Sequence, residues 1–179
     1  MSKITIFLAS SEKLESERRQ FENFIYQRNK SLYKDNLFIE VIAWENSISN
    51  AMSQTQLQDK YNEAIRACDI FVALFYTKAG SWTIEEFHIA WDQFKKTNQP
   101  QIFTYFKETA NKQESVRAFW KKLSQLKHYP TVYKNTEDLH LQFWRELEII
   151  LTEHEFEATV QQNAEKIYNI EKIDKAKFE

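Results

Sequence analysis

The segment from Ile70 to Tyr76, IFVALFY, constrains the fold more than any other part of the sequence. It is apolar at every position and lacks the alternation of a strand with one face in solvent, which is typical of a strand covered on both faces in a parallel sheet. Helical periodicity precedes it near Leu57–Ala67 and follows it from about Trp82 to Lys96. A buried strand between two amphipathic helices predicts the centre of an α/β fold.

Four more segments have the composition of strands, and helical segments separate them. The strands are ITIFLA (4–9), LFIEVIAW (37–44), QIFTYF (101–106) and TVY (131–133); the other helices are expected near 13–33, near 114–126 and from about 136 onward. Because crossovers between parallel strands are right-handed, this alternation predicts a flavodoxin-like, doubly wound five-stranded parallel sheet of order 2-1-3-4-5. We expect the α/β domain to span residues 1–154 and a charged helical extension, a tail or linker, to span residues 155–179.

The scarcity of glycine and cysteine excludes several classes of site. Gly80 is the single glycine, whereas a Rossmann fingerprint needs three and a Walker A loop two. Cys68 is the single cysteine and the four histidines share no metal-ligand spacing, so we expect no disulfide, metal or bound cofactor. A net charge of -2 creates no field for nucleic acid or anionic lipid, and there is neither a signal-peptide layout nor an apolar run of about 20 residues. We therefore expect a cytoplasmic protein that binds neither membrane nor nucleic acid.

The predicted strand order limits the search for a site to a few loops. Ligands bind such sheets at the carboxyl ends of the first and third strands, where the strand order reverses. The loop after the third strand leads into a helix on which Trp82 and Glu86, four residues apart, lie on one side. Glu86 borders the apolar face around Phe87 and Ala90, where partial burial can tune its charge. Thr83 and Glu86 also match the spacing of a capping box, in which the glutamate only binds a backbone N–H group, and this alternative stays open.

Three stretches, ITIFLASS, CDIFVALFYTKAG and SWTIEEF, resemble parts of TIR (Toll/interleukin-1 receptor) or TIR-like domains, including the prokaryotic defence-type members. In that family a tryptophan precedes the key glutamate by four residues, as Trp82 precedes Glu86. The resemblance covers about residues 3–150 and implies an effector domain of anti-phage defence that cleaves the nicotinamide N-glycosidic bond of NAD, a substrate here and not a cofactor. It also implies self-association, in which the loop after the second strand takes part, and a C-terminal sensor domain.

The resemblance implies that Glu86 is the catalytic carboxylate beside the ribose and that Trp82 packs against a ring of the substrate. Nicotinamide leaves from a pyridinium without an acid, so a single carboxylate suffices. The candidates for binding the rest of the substrate lie in or beside the loops of the crevice: Ser10, Ser11, Trp44, Tyr76 and Gly80. Backbone N–H groups around Ser10 and Ser11 are suited to bind phosphate at the start of the first helix. The plain interpretation of both serines is that they are helix N-caps, and Trp44 fits equally well as the last core residue of the second strand.

Two other functions stay open at this point. A TIR-like adaptor would act only by homotypic association, without turnover. A nucleoside 2-deoxyribosyltransferase-like enzyme would also use a glutamate near a flavodoxin-type crevice to break N-glycosidic bonds. Release of nicotinamide from NAD, or of a base from nucleosides, distinguishes the three.

Overall fold

The computed structural model describes residues 1–43 and 54–152. The strands are β1 (Ser2–Ser10), β2 (Leu37–Ala43), β3 (Ile70–Phe75), β4 (Gln101–Lys107) and β5 (Thr131–Tyr133). The helices are α1 (Glu15–Leu32), α2 (Gln54–Ala67), α3 (Ser81–Thr97) and α4 (Glu114–Gln125), and α5 covers residues 136–152. Short 3-10 turns at Glu12–Leu14 and Tyr33–Asp35 lie immediately before and after α1. The strands and helices expected from the sequence in these ranges all form, with ends that differ by a few residues.

The strands form one parallel sheet in the order β2-β1-β3-β4-β5, which confirms the predicted topology. In the pairing of β1 with β3, Ser10 lies opposite Leu74. In the pairing of β3 with β4, Phe75 lies opposite Phe106. The carboxyl ends of β1, β3 and β4 therefore meet at one edge of the sheet, with the reversal of strand order between β1 and β3.

The central strand β3 is buried at every position, as its unbroken apolar sequence predicts. One face of the sheet packs against α2, α3 and α4 through a cluster rich in aromatic residues. Phe119 of α4 lies 4.9 Å from Phe75 of β3 and 5.2 Å from Phe87 of α3, measured between ring centroids. Each such aromatic pair adds about 0.5–1.5 kcal/mol beyond the burial of its area. This packing fixes the orientation of α3 and of the side chains on its crevice side.

Helix α1 packs against β1 and β2. Its buried Asn29 side chain donates to the carbonyl of Ile39 at 2.7 Å and accepts from the N–H of the same residue at 2.8 Å. Because the amide binds both backbone groups of one strand residue, it fixes α1 along β2. The first turns of α1 are thereby held at the carboxyl edge of the sheet.

The chain divides into two compact units, Met1–Leu139 and a second that begins at His140. In the second unit Phe143, Leu147 and Ile150 are buried and follow helical spacing. The tail predicted at residues 155–179 lies outside the described residues, so the boundary after residue 154 stays a prediction. No helix among the described residues is long and apolar enough to cross a membrane.

Candidate functional site

Helix α3 begins at Ser81, and Gly80 is its N-cap residue in an extended conformation (φ -66°, ψ 142°). As a glycine, the N-cap residue has no side chain to cap the helix, and Thr83 occupies the third helical position instead of the N-cap. A capping box needs its threonine at the N-cap, so the capping alternative for Thr83 and Glu86 is wrong. The Glu86 carboxyl makes no hydrogen bond to any residue that the structure describes.

The electrostatic state of Glu86 is set by its surroundings. Burial raises the pKa of this carboxyl from 4.5 to about 7, and the neighbouring charge of Glu85 acts in the same direction. The Arg18 guanidinium opposes both and lowers the pKa of Glu86. Close to neutral pH, Glu86 is therefore divided between its ionised and its protonated form. Such a group can serve in proton transfer or in stabilising positive charge.

The helical face predicted for α3 is confirmed by its burial pattern. Phe87 and Ala90 are fully buried, whereas Glu85 and Asp92 are exposed and Glu86 is half-buried between them. Trp82, one helical turn before Glu86, exposes 64% of its surface. The exposed indole and the half-buried carboxyl lie on the same side of the helix, at the end next to the sheet edge.

The carboxyl end of β1 is occupied by a guanidinium. Arg18 Nη1 donates to Ser10 Oγ at 2.5 Å and to the Ser11 carbonyl at 3.3 Å, and Arg18 itself is only 4% exposed. Helix α1 begins at Glu15 after the 3-10 turn and has no side-chain cap, so the N-cap alternative for Ser10 and Ser11 is wrong. The N–H groups near the two serines belong to the loop and the 3-10 turn, before α1 begins. Phosphate binding at this loop stays a prediction.

An ion pair between a buried and a half-buried residue lies at the ends of β3, β4 and β5. Glu17 of α1 forms an ion pair with Lys107 at the end of β4, and the Lys107 ammonium lies 5.0 Å from the ring centre of Tyr76. Tyr133 is fully buried, and its hydroxyl has no hydrogen-bond partner among residues 1–43 and 54–152. Burial, together with the nearby Glu17 and Tyr76, raises the pKa of Tyr133 well above its ordinary value. The predicted binding residue Tyr76 therefore lies at this edge, with a cation on its ring.

Glu17, Arg18 and Lys107 are not among the residues predicted from the sequence. A signal for the first two was present, because Leu14 and Phe21 mark the inner stripe of α1 and positions 17 and 18 lie on the same stripe. A charged residue at an inward position costs free energy unless it is paired, and for that reason deserves a functional explanation. Lys107 had no comparable signal, since it follows the apolar part of β4 as an ordinary strand end would.

Trp44 and Gly80 were also predicted to bind the substrate. Trp44 lies outside the described residues. At Gly80 an added Cβ would have Thr83 Oγ1 as its nearest neighbour at 3.7 Å, an ordinary contact, and φ is accessible to any residue. The fold therefore does not require glycine at position 80. Arg18 binds Ser10 and Ser11, and its charge lowers the pKa of Glu86, while Tyr76 lies beside the Glu17–Lys107 ion pair.

No family model matches the sequence, and no curated protein matches it. Among solved structures, the chain is similar to the CMP N-glycosidase BcmB of Clostridium botulinum, with 18% identity and a TM-score of 0.50 over 78% of this chain and 97% of that one. It is also similar to the RPS4 and RRS1 TIR domain heterodimer, with 8% identity and a TM-score of 0.45 over 82% of this chain and 96% of that one. At 18% identity the similarity to BcmB is one of fold: an α/β sheet of order 2-1-3-4-5 flanked by helices.

Proposed function

We propose that this protein hydrolyses the N-glycosidic bond of a nucleotide, with Glu86 as the carboxylate that acts on the sugar. The observation that carries the proposal is the state of Glu86, a half-buried carboxyl without a hydrogen-bond partner among the described residues, with its pKa raised to about 7. It lies near the buried Arg18 cation, which holds the end of β1 at the reversal of strand order. A half-buried carboxyl with a raised pKa at that place is suited to act as a reacting group.

With NAD as substrate, the C1′–N bond breaks and its electron pair goes to the nicotinamide nitrogen, which becomes neutral. The remaining ribosyl group carries positive charge, and ionised Glu86 stabilises it electrostatically. Water then adds to C1′ and releases a proton, giving nicotinamide and ADP-ribose. The exposed Trp82 indole, one turn away, offers a flat apolar surface for a ring of the substrate. We expect NAD as the substrate because the resemblance to TIR domains implies it.

A nucleoside monophosphate is the second candidate, favoured by the similarity in fold to an enzyme described as a CMP N-glycosidase. Cytosine leaves as an anion unless it is protonated, so this reaction benefits from a carboxylic acid. The two candidates therefore require opposite forms of Glu86. Cleavage of NAD is expected to increase as pH rises through about 7, whereas acid-assisted cleavage of CMP is expected to decrease over the same range.

The test measures the release of nicotinamide from NAD and of cytosine from CMP in reactions at pH 6, 7 and 8. Chromatography detects the free bases. Dilute and concentrated protein are compared, because we propose that self-association completes the site. Glu86→Gln is expected to reduce release at least about 100-fold, and Asp92→Asn, which removes an exposed charge of the same helix that does not act on the pKa of Glu86, to leave it within about twofold. Activity that survives in Glu86→Gln contradicts the assignment. Wild-type protein that releases neither base under any of these conditions favours the adaptor function.

The role of an anti-phage effector and the connection to a C-terminal sensor domain belong to the same proposal. Both rest on the resemblance to TIR domains. A longer natural protein would place the sensor after residue 179, and its ligand would then control self-association of this domain.

A further inference from the structure

The loop between β3 and α3, residues 76–80, is held by the start of α4. The Thr77 carbonyl accepts a hydrogen bond from the Gln113 N–H at 2.9 Å. The Ala79 N–H donates to Ser115 Oγ at 3.2 Å. Gln113 is the N-cap residue of α4 and Ser115 is the second residue of this helix, so both bonds join the loop to the same turn. The second bond is made by a side chain and therefore depends on the residue at position 115.

The bond from Ala79 determines where α3 begins. Ala79 is buried, so without Ser115 its N–H group would lose a partner and gain little access to water. Gly80, the N-cap residue of α3, has no side chain that could hold the start of the helix. The position of the first turn of α3 therefore depends on the loop, and Ser115 binds the loop through its side chain.

Trp82 and Glu86 depend on this loop to different extents. Phe87, the residue after Glu86, is fully buried and belongs to the aromatic cluster between α3, α4 and the sheet. Trp82 lies in the first turn of α3 and is largely exposed, so the packing of its own ring does little to place it. A shift of the loop is therefore expected to move the indole of Trp82 while the carboxyl of Glu86 stays in place.

We propose that Ser115 is a positioning residue of the site: through the Ala79 N–H it holds the loop of residues 76–80, so that Trp82 meets a ring of the substrate. This inference rests on the proposed function, in which Glu86 acts on the sugar and Trp82 binds a ring. Ser115 acts through the loop and needs no contact with the substrate. Its loss is therefore expected to weaken substrate binding and to leave the bond-breaking step unchanged.

The experiment measures kcat and KM for the nucleotide that is cleaved, NAD or CMP, in wild type, Ser115→Ala and the control Ser124→Ala. An aromatic contact changes affinity by a factor of about two to ten, so we expect KM to rise about two- to tenfold in Ser115→Ala, with kcat within about twofold. Ser124→Ala removes a hydroxyl of the same helix that donates to the Trp120 carbonyl at 3.2 Å, and is expected to change neither constant. An unchanged KM in Ser115→Ala, or a kcat lowered more than about twofold, overturns the proposal.

A double variant tests whether Ser115 acts through Trp82. Trp82→Ala is expected to raise KM by itself. Ser115→Ala/Trp82→Ala is expected to raise KM no further, because the loop then has no indole to place. If the two increases multiply instead, Ser115 acts by another route and the proposal is contradicted.

A pair of variants of equal shape tests the hydroxyl itself. Ser115→Thr and Ser115→Val differ only in a hydroxyl replaced by a methyl group, so they preserve the comparison if Ser115→Ala fails to fold. We expect Ser115→Val to have the higher KM of the two, by about two- to tenfold. Equal KM values in the two variants overturn the proposal.

A readout without turnover separates this inference from the proposed function. Amide hydrogen exchange of Ala79, followed by NMR on the full chain, is expected to be at least about threefold faster in Ser115→Ala and unchanged in Ser124→Ala. The indole N–H resonance of Trp82, identified by its absence from Trp82→Ala, is expected to shift in Ser115→Ala. Both changes in a protein that cleaves neither nucleotide reject only the reaction. Unchanged exchange of Ala79, or an unmoved Trp82 resonance, overturns the role of Ser115.

Discussion

Replacing Glu86 with glutamine is expected to stabilise the protein at neutral and alkaline pH. The folded state holds the proton of Glu86 more tightly than the unfolded chain, because the pKa is about 7 when folded and 4.5 ordinarily. A carboxyl with a raised folded pKa contributes stability that is fully present below about pH 4.5 and is lost as pH rises through about 7. Wild-type protein therefore loses stability over this range, while Glu86→Gln lacks this contribution to the loss.

The magnitude follows from the distance between the two pKa values. At about 1.36 kcal/mol for each pKa unit, the ionised carboxyl costs roughly 3 kcal/mol above pH 8 relative to the protonated one. In a chain of 179 residues this corresponds to a melting temperature about 6–12 °C higher for Glu86→Gln at pH 8. At pH 4 the difference between the two proteins is expected to be close to zero.

Urea unfolding of wild type and Glu86→Gln at pH 4, 6 and 8 measures the difference in the free energy of unfolding. Asp92→Asn is the control, since it removes an exposed charge that does not act on the pKa of Glu86 and is expected to leave the free energy of unfolding close to that of wild type at each pH. The reasoning is refuted if Glu86→Gln is no more stable than wild type at pH 8, or if the gain is the same at pH 4. The first result means that the Glu86 charge is stabilised by a partner, and the second that the gain does not come from its ionisation.

Three further predictions concern the rest of the site. Lys107→Met leaves the buried Glu17 without its ion pair and is expected to lower the free energy of unfolding by about 3 kcal/mol. The double variant Glu17→Gln/Lys107→Met is expected to lose less, and a smaller loss in the single variant than in the double variant contradicts this. Tyr133→Phe removes a buried hydroxyl without a partner among the described residues, so stability is expected to stay equal or rise by about 1 kcal/mol, and a clear loss in thermal melting would show that the hydroxyl is bonded. Gly80→Val is expected to lower the melting temperature by less than about 4 °C, because an added Cβ has room, yet to reduce turnover through its position beside Trp82; equal losses of both argue against the site.

The sheet could be predicted because each strand carries its environment in its own residues. The apolar run of β3 has no solvent-facing position, and the polar TVY segment is short enough to be only an edge. The partial burial of Glu86 could also be predicted from the sequence, since its position relative to Phe87 and Ala90 places it at the border of a buried face. These are local patterns, and tertiary contacts reinforce them.

The contributions of α1 and β4 to the site could not be predicted from such local patterns. A 3-10 turn separates the start of α1 from Ser10 and Ser11. The sequence therefore predicted two helix caps at positions where Ser10 instead accepts a hydrogen bond from Arg18. In the sequence, Arg18 is one of many charged residues on an amphipathic helix. Its burial depends on the approach of β1 to α1 and could not be predicted from the sequence alone. Lys107 forms an ion pair with Glu17, which lies 90 residues earlier in the chain, and only the folded structure brings the two together.

The central claim is that Glu86 drives cleavage of an N-glycosidic bond, and proton NMR of a concentrated protein sample with NAD and CMP, followed in separate tubes at pH 7, tests it most directly. We predict that free nicotinamide accumulates from NAD with wild type and that its rate falls at least about 100-fold in Glu86→Gln. Because this variant is expected to be the more stable protein, its loss of activity cannot be ascribed to unfolding. Nicotinamide or cytosine released equally by wild type and Glu86→Gln, or by neither, would contradict the account.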